Sequence, residues 1–179
     1  MFSFMTGGAG ESMSLPYFKG NFANGEYIYM IVWGSSSLAR AIGGMLHYRF
    51  SLPVDKKYSI AFFVYLSISV LEGIYLVLPG PLMVLCCTLS GLLGVTSYNI
   101  RISATQRYVP DGKKGRFNGT FNTLTMIGMI SGEFIAGLLS IRIPIRAIIV
   151  VFQTVCIVAA LIFIGGRKND VSKVYNTQD

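Results

Sequence analysis

Residues 58–100 read YSIAFFVYLSISVLEGIYLVLPGPLMVLCCTLSGLLGVTSYNI, and this stretch decides the fold class of the chain. Its only charged side chain is Glu72, and its only break is Pro79-Gly80-Pro81, a sequence that cannot continue a helix and predicts a tight turn. A helix needs about 20 mostly apolar residues to cross the hydrocarbon core of a bilayer, which is about 30 Å thick. The stretch therefore predicts two membrane-spanning helices, residues 58–78 and 82–100, that form an antiparallel hairpin.

The same length criterion finds three more apolar stretches and a shorter one at the start of the chain. The predicted full spans are residues 27–46, 58–78, 82–100, 117–141 and 147–164, with a partial helix over about 1–17. The predicted fold is all-α: a polytopic transmembrane helix bundle over residues 1–168, with five full spans and the partial N-terminal helix. Residues 169–179 are polar and form a cytoplasmic tail outside the bundle.

The composition of the whole chain favours a membrane protein and excludes two other classes. Hydrophobic residues make up 53% of the chain and charged residues 13%, whereas a soluble domain carries roughly 25% charged residues. A soluble single-domain enzyme is therefore excluded. Intrinsic disorder is excluded as well, because 13% of the residues are aromatic and disordered segments contain few aromatic and branched apolar side chains.

No group of residues has the pattern of a catalytic centre, a cofactor site or a metal site. The chain has one histidine, His47, and its three cysteines, Cys86, Cys87 and Cys156, lie in apolar runs, where cysteine acts as a small hydrophobic residue. A membrane hydrolase would need paired histidines, a nucleophile with its base, or a cluster of carboxylates and metal. We therefore expect neither an enzyme nor a bound cofactor or metal.

Basic residues are divided unevenly between the two sets of alternate loops. Eleven fall on one side, namely Arg49, Lys56, Lys57, Arg101, Arg107, Lys113, Lys114, Arg116, Arg167, Lys168 and Lys173. Only Lys19, Arg142 and Arg146 fall on the other. Lysine and arginine in short loops are retained in the cytoplasm, so we expect a multi-pass protein of the cell membrane with a cytoplasmic C-terminus. This bias accounts for the net charge of +7. We therefore expect the lipid bilayer as a partner and no nucleic acid.

The most distinctive loop lies between the third and fourth predicted spans, where residues 109–119 read VPDGKKGRFNG. It resembles the cytoplasmic loop between helices ten and eleven of the major facilitator superfamily, in which a proline and an acidic residue precede a Gly-Arg pair and a glycine at the next helix start. Residues 99–106, NIRISATQ, are similar to the end of helix ten in such transporters. The matching loop positions are Pro110, Asp111, Gly115, Arg116 and Gly119.

The resemblance implies that the chain is the C-terminal half of such a transporter, most similar to bacterial drug or macrolide efflux permeases. Residues 1–17 would then be the outer part of helix seven. The implied function is transmembrane transport of a small-molecule substrate by alternating access, with ion-coupled efflux, around a site between two six-helix halves. The implied partner is a missing N-terminal half or a second copy of the chain. The alternative is a non-transporting membrane protein: a truncated remnant, a scaffold or a subunit.

Charged residues inside the predicted spans are the candidate functional residues, because a charge within the membrane is costly and marks a functional site by default. The resemblance places Glu133 and Glu11 on helices that line the substrate cavity, so both are candidates for proton coupling or substrate recognition. A neutral Glu133 that is hydrogen-bonded to a neighbouring helix is the alternative. Arg40 is a third candidate, although its long side chain could equally snorkel to the interface. Glu72, on a peripheral helix of the family, is interpreted as a structural charge.

The fourth predicted span carries small residues at every fourth position, which are Gly128, Gly132, Ala136 and Ser140. Such a stripe allows the backbone of another helix to approach closely. It predicts a tight helix pair, and a sliding surface for gating is the alternative.

Overall fold

The protein is seen in a computed structural model that describes residues 2–49, 53 and 56–176, apart from the side chain of Asp170. Met1 of the predicted partial helix and residues 177–179 of the predicted tail lie outside the described residues. Within them the chain is helical and contains no strand. The helices are α1 (Phe2–Asn21), α2 (Gly25–Arg49), α3 (Lys57–Ile74), α4 (Gly80–Tyr108), α5 (Asp111–Ser140), α6 (Ile145–Ala160) and α7 (Lys168–Tyr175).

Two short turns lengthen the spans of this bundle. A 3₁₀ turn, Tyr75–Val77, continues α3, and a π turn, Leu161–Gly165, continues α6. Pro79 directly precedes α4, so α3 and α4 are joined by a connection of two residues. Pro144 precedes α6 in the same way and ends the turn after α5. Both prolines stand where the sequence predicts the helix breaks, because a proline fits the start of a helix but not its interior.

In the described part of the chain, four helices are long and apolar enough to cross a membrane. They are Lys57–Val77, Gly80–Tyr108, Asp111–Ser140 and Ile145–Gly165. The prediction of an all-helical bundle is confirmed, whereas the count of five full spans stays a prediction. The helix that covers the remaining predicted span, α2, has 25 residues, which is about 37 Å. It is long enough, but its serines, glycines and Arg40 make it less apolar than the other four.

The six long helices alternate in direction. Phe2 at the start of α1 stacks on Phe163 after α6, with ring centroids 6.4 Å apart, whereas Tyr17 near the end of α1 meets Arg146 at the start of α6. The two helices are therefore antiparallel. Since the turn after Ser140 also makes α5 and α6 antiparallel, α1 runs parallel to α5.

This alternation collects the basic residues at one end of the bundle. The eleven residues of the larger loop set lie near the start of α3 and α5, the end of α2, α4 and α6, and in α7. We call this the basic end. Lys19, Arg142 and Arg146 lie at the opposite end. The division predicted from the sequence therefore corresponds to two ends of one folded bundle.

The buried core is concentrated toward the opposite end. Its largest buried side chains come from α1, from the turn after α3, and from α4 and α6, and they include Phe18, Leu76, Met83 and Ile148. Helix α5 contributes little to it, because only Gly128, Gly132 and Ala136 of its residues are buried. These three small residues lie on the face toward α1, and the other residues of α5 are half-buried or exposed.

Part of the predicted tail is a helix that packs at the basic end. Asn176, just after α7, accepts a hydrogen bond of 3.0 Å from the backbone N–H of Tyr58 through its side-chain oxygen. Burial, with the neighbouring Tyr65 hydroxyl, raises the pKa of Tyr175 to about 12, although nearby Arg101 lowers it. Helix α7 is therefore docked against the start of α3, at the basic end of the bundle, through partly buried side chains.

Candidate functional site

A polar cluster lies inside the bundle where α3, α4 and α6 meet. One carboxylate oxygen of Glu72 accepts a hydrogen bond of 2.8 Å from the Ser90 hydroxyl. The other accepts one of 3.0 Å from the side-chain amide of Gln153. Ser90 and Gln153 are 5% and 4% exposed, so both donors are removed from lipid and water. Buried polar groups need such partners, and here each of three helices supplies one.

The cluster would lie well within a bilayer that α4 and α6 cross. Ser90 is ten residues from the start of α4, about 15 Å along the helix, and Gln153 is eight residues from the start of α6, about 12 Å. Half of the hydrocarbon core is about 15 Å thick. Glu72 therefore lies where an unpaired charge is most costly, and its two hydrogen bonds meet that cost within the bundle.

Arg40 extends this cluster toward α2. Its side chain extends from α2 to α4. A Cβ atom added to Gly94 of α4 would lie 4.0 Å from the Arg40 Nε atom. The guanidinium is close enough to Glu72 to attract its carboxylate electrostatically. Arg40 also remains exposed on the outside of α2. It can therefore balance the Glu72 charge and, from the same position, attract a negatively charged group beside α2.

Glu11 and Glu133 have a different setting. Both are exposed on the surface of the bundle, and among the described residues neither forms an ion pair or a hydrogen bond through its side chain. Glu133 lies seven residues before the end of α5, about 10 Å, and Glu11 lies ten residues before the end of α1, about 15 Å. The two carboxylates thus lie within neighbouring parallel helices, of which α5 is one of the four candidate spans and α1 is not, and neither has a partner among the described residues. The structure does not bring them together with Glu72.

The small-residue stripe of α5 lies against α1. A Cβ on Gly132 would overlap the backbone carbonyl of Met5, and one on Gly8 of α1 would overlap the carbonyl of Met129. Gly128 and Ala136 are buried on the same face. Ser140 is exposed and donates a hydrogen bond of 2.7 Å to the carbonyl of Gly137 instead. The partner helix of the stripe is therefore α1, and the contact ends before Ser140.

The loop positions of the family resemblance lie in the first turns of α5. Pro110 precedes the helix, and the Asp111 carboxylate pairs with Lys114 at 2.6 Å. Gly115, Arg116 and Gly119 are exposed, and a Cβ on either glycine would meet nothing within 4 Å. Packing within this chain therefore gives no reason for glycine at these two positions.

The sequence did not reveal a second polar network at the opposite end. Arg146 of α6 donates a hydrogen bond of 2.7 Å to the Tyr17 hydroxyl, which donates in turn to the Leu76 carbonyl at 2.9 Å. The Ser14 and Tyr75 hydroxyls are 2.7 Å apart. The network joins α1, α6 and the turn after α3, with Tyr17 at its centre. No motif could have signalled it, because it depends on the register of three helices.

The remaining chemically active side chains are isolated from one another. The Nε2 atom of His47 lies 2.8 Å from the Thr96 hydroxyl, which ties the basic ends of α2 and α4 together. The Ser69 hydroxyl donates to the sulfur of Cys156 at 3.6 Å. No three His, Cys, Asp or Glu residues within the described ranges are grouped so that they could hold a metal ion.

Comparisons with known proteins found no match among protein-family models, curated proteins or solved structures. The geometry of the polar residues is therefore what bears on function.

Proposed function

We propose that the chain is half of a transporter of the major facilitator type, which moves a small molecule across the membrane by alternating access, with ion-coupled efflux. The observation that carries the proposal is the pair of exposed carboxylates, Glu11 and Glu133, within adjacent helices of the bundle. Acidic residues within spans almost always face a bundle interior or a water-filled cavity rather than lipid. The face that carries them is therefore the one that meets a second helical unit around an aqueous pathway.

Three further features support this arrangement. Gly115 and Gly119 lie on open surface of α5, as expected if a helix outside this chain approaches there. The six long helices alternate in direction, as the six helices of one transporter half do. The VPDGKKGRFNG loop also stands at the start of α5, where the resemblance requires it.

The proposal divides the charged residues by role. Glu133 and Glu11 bind and release the coupling proton as the pathway opens alternately to the two sides. Arg40 attracts an anionic group of the substrate or balances Glu72. Glu72 itself holds α3, α4 and α6 together through Ser90 and Gln153, so this half moves as one rigid unit during rocking of the two halves.

The transport test uses inside-out membrane vesicles from cells that produce the chain together with the polypeptide encoded directly upstream. Radiolabelled erythromycin and tetraphenylphosphonium are the two probes, and respiration acidifies the vesicle lumen. We expect uptake of a probe that a protonophore abolishes and that Glu133→Gln or Glu11→Gln largely removes. Glu26→Gln is the matched control, because Glu26 is an exposed carboxylate that pairs with Lys19 outside the spans.

The outcomes of this test separate the alternatives. Uptake that is unchanged in both span variants would remove Glu133 and Glu11 from the coupling step. Absence of gradient-driven uptake of either probe would contradict the transport proposal and favour a non-transporting membrane protein.

A second test asks whether protein covers the face of α5. A photoreactive phenylalanine analogue replaces Phe134 on α5 or, as the control, Phe63 on α3, which are 67% and 68% exposed. We expect a cross-link to another polypeptide from position 134 and adducts to lipid alone from position 63. The mass of the adduct distinguishes a separate N-terminal half from a second copy. Adducts to lipid alone at both positions would refute the covered face.

A further inference from the structure

A shallow cavity, open to the surface, lies at the basic end, where α4 ends and α5 begins. Its volume is about 370 Å³, and it is lined by Val109, Lys113, Arg116, Phe117 and Thr120. Residues 113, 116, 117 and 120 share one face of α5, because positions three and four apart are neighbours on a helix. Val109, in the turn before α5, closes one side.

The cavity gathers two cations that lack a carboxylate partner. Within residues 2–49, 53 and 56–176, neither Lys113 nor Arg116 takes part in an ion pair. Lys114 differs from them, because it pairs with Asp111 at 2.6 Å and does not line the cavity. Two positive charges therefore face the same small space, and the Thr120 hydroxyl beside them is a further hydrogen-bond donor.

The remaining walls are apolar. Phe117 is 43% exposed, and Val109 lies across from it on the turn before α5. The cavity also lies where α5 begins its course as a candidate membrane span, Asp111–Ser140. A ligand there meets Lys113 and Arg116 toward the helix end and the apolar ring of Phe117 toward the span, while Val109 lies beyond the cations in the turn before α5. A phosphate that carries acyl chains has this combination, whereas free phosphate uses only the cations.

We propose that this cavity binds the headgroup phosphate of an anionic phospholipid, with Lys113 and Arg116 on the phosphate and Phe117 against the upper acyl chain. Basic residues at the cytoplasmic end of spanning helices attract anionic lipids in this way. The site is independent of the transport proposal, because it needs only this chain in a bilayer.

Binding is measured by native mass spectrometry of the full chain in detergent, with dioctanoyl phosphatidylglycerol as the probe. Dioctanoyl phosphatidylcholine and inorganic phosphate are the two comparison ligands. We expect Lys113→Gln and Arg116→Gln each to weaken binding of the anionic lipid about fivefold, and the double variant about thirtyfold, from about 1 kcal/mol for each basic residue. Lys114→Gln removes the same charge from the same helical turn and should leave binding unchanged. All three positions lie outside the buried core, and far-UV circular dichroism checks that each variant is folded.

Three results would overturn the proposal. Equal weakening by Lys114→Gln would show attraction to diffuse positive charge. Equal binding of phosphatidylcholine would show an apolar groove without headgroup recognition. Displacement of the lipid by inorganic phosphate at the same concentration would identify free phosphate as the ligand.

Discussion

The close contact of α1 and α5 predicts that Gly132→Ala weakens the bundle. An alanine methyl at position 132 overlaps the backbone carbonyl of Met5, and backbone cannot turn aside as a flexible side chain can. The two helices must separate by roughly 1.4 Å or more to restore ordinary van der Waals contact. Gly137→Ala is the matched control, because the same methyl five residues later on the same helix meets nothing within 4 Å.

The pair of variants isolates the packing cost. Glycine to alanine raises helix propensity by up to about 1 kcal/mol, and this gain is the same at both positions. Overpacking of a close contact costs about 1–3 kcal/mol. Gly132→Ala should therefore have a free energy of unfolding about 1–3 kcal/mol below that of Gly137→Ala, whatever the absolute stability of the protein.

The measurement is equilibrium unfolding of the detergent-solubilised protein with sodium dodecyl sulfate. Trp33 is the only tryptophan, and it packs against the buried core, so its fluorescence reports loss of tertiary structure. Gly8→Ala against Gly7→Ala repeats the comparison from α1, where a Cβ at position 8 overlaps the Met129 carbonyl and one at position 7 is open. Equal unfolding midpoints within both pairs would refute the packing of α1 on α5.

Two other predictions concern the hydrogen bond between Glu72 and Ser90 and the burial of Tyr175. In a double-mutant cycle, Glu72→Ala and Ser90→Ala should show a coupling energy of about 0.6 kcal/mol and no more than about 1.7 kcal/mol, the range for hydrogen bonds between membrane helices. Additive effects of the two substitutions on the free energy of unfolding in SDS would contradict the 2.8 Å hydrogen bond. The pKa of Tyr175 is raised to about 12 in the folded protein, against about 10 in an unfolded chain. Docking of α7 therefore contributes stability that is fully present below about pH 10. This stability is lost as the pH rises through about 12. The tyrosinate absorbance difference between wild type and Tyr175→Phe should titrate near pH 12, and a difference that titrates near pH 10 would show that α7 is not docked.

Much of the fold could be predicted from local sequence, for reasons of distance and hydrogen bonding. In a bilayer the backbone must satisfy its own hydrogen bonds, so an apolar stretch of sufficient length is helical. The Pro79 and Pro144 breaks follow from the missing N–H of proline. In residues 27–46 and 169–179, polar residues dilute the apolar signal on which this prediction depends. There the structure shows a 25-residue helix and the docked helix α7.

The surroundings of the charged residues could not be predicted in the same way. Glu72 and Glu133 look alike in the sequence, since each is one carboxylate in an apolar run. The structure distinguishes them, because Ser90 and Gln153 come from helices distant in sequence to meet Glu72, whereas Glu133 points to the outside of α5. The stripe on α5 could be recognised from its spacing, but its partner, α1, could not.

The sequence by itself determined that this is a helical membrane protein, where its helices break, and that its basic residues divide between two ends. Each of these properties depends on neighbours along the chain, namely apolar length, proline positions and the order of loops. Only the tertiary structure decided that Glu72 is hydrogen-bonded between three helices, that Glu11 and Glu133 are exposed on the surface of the bundle, and that Lys113 and Arg116 share a cavity. These properties depend on the rotation and register of helices against one another, which side-chain packing sets and linear spacing does not.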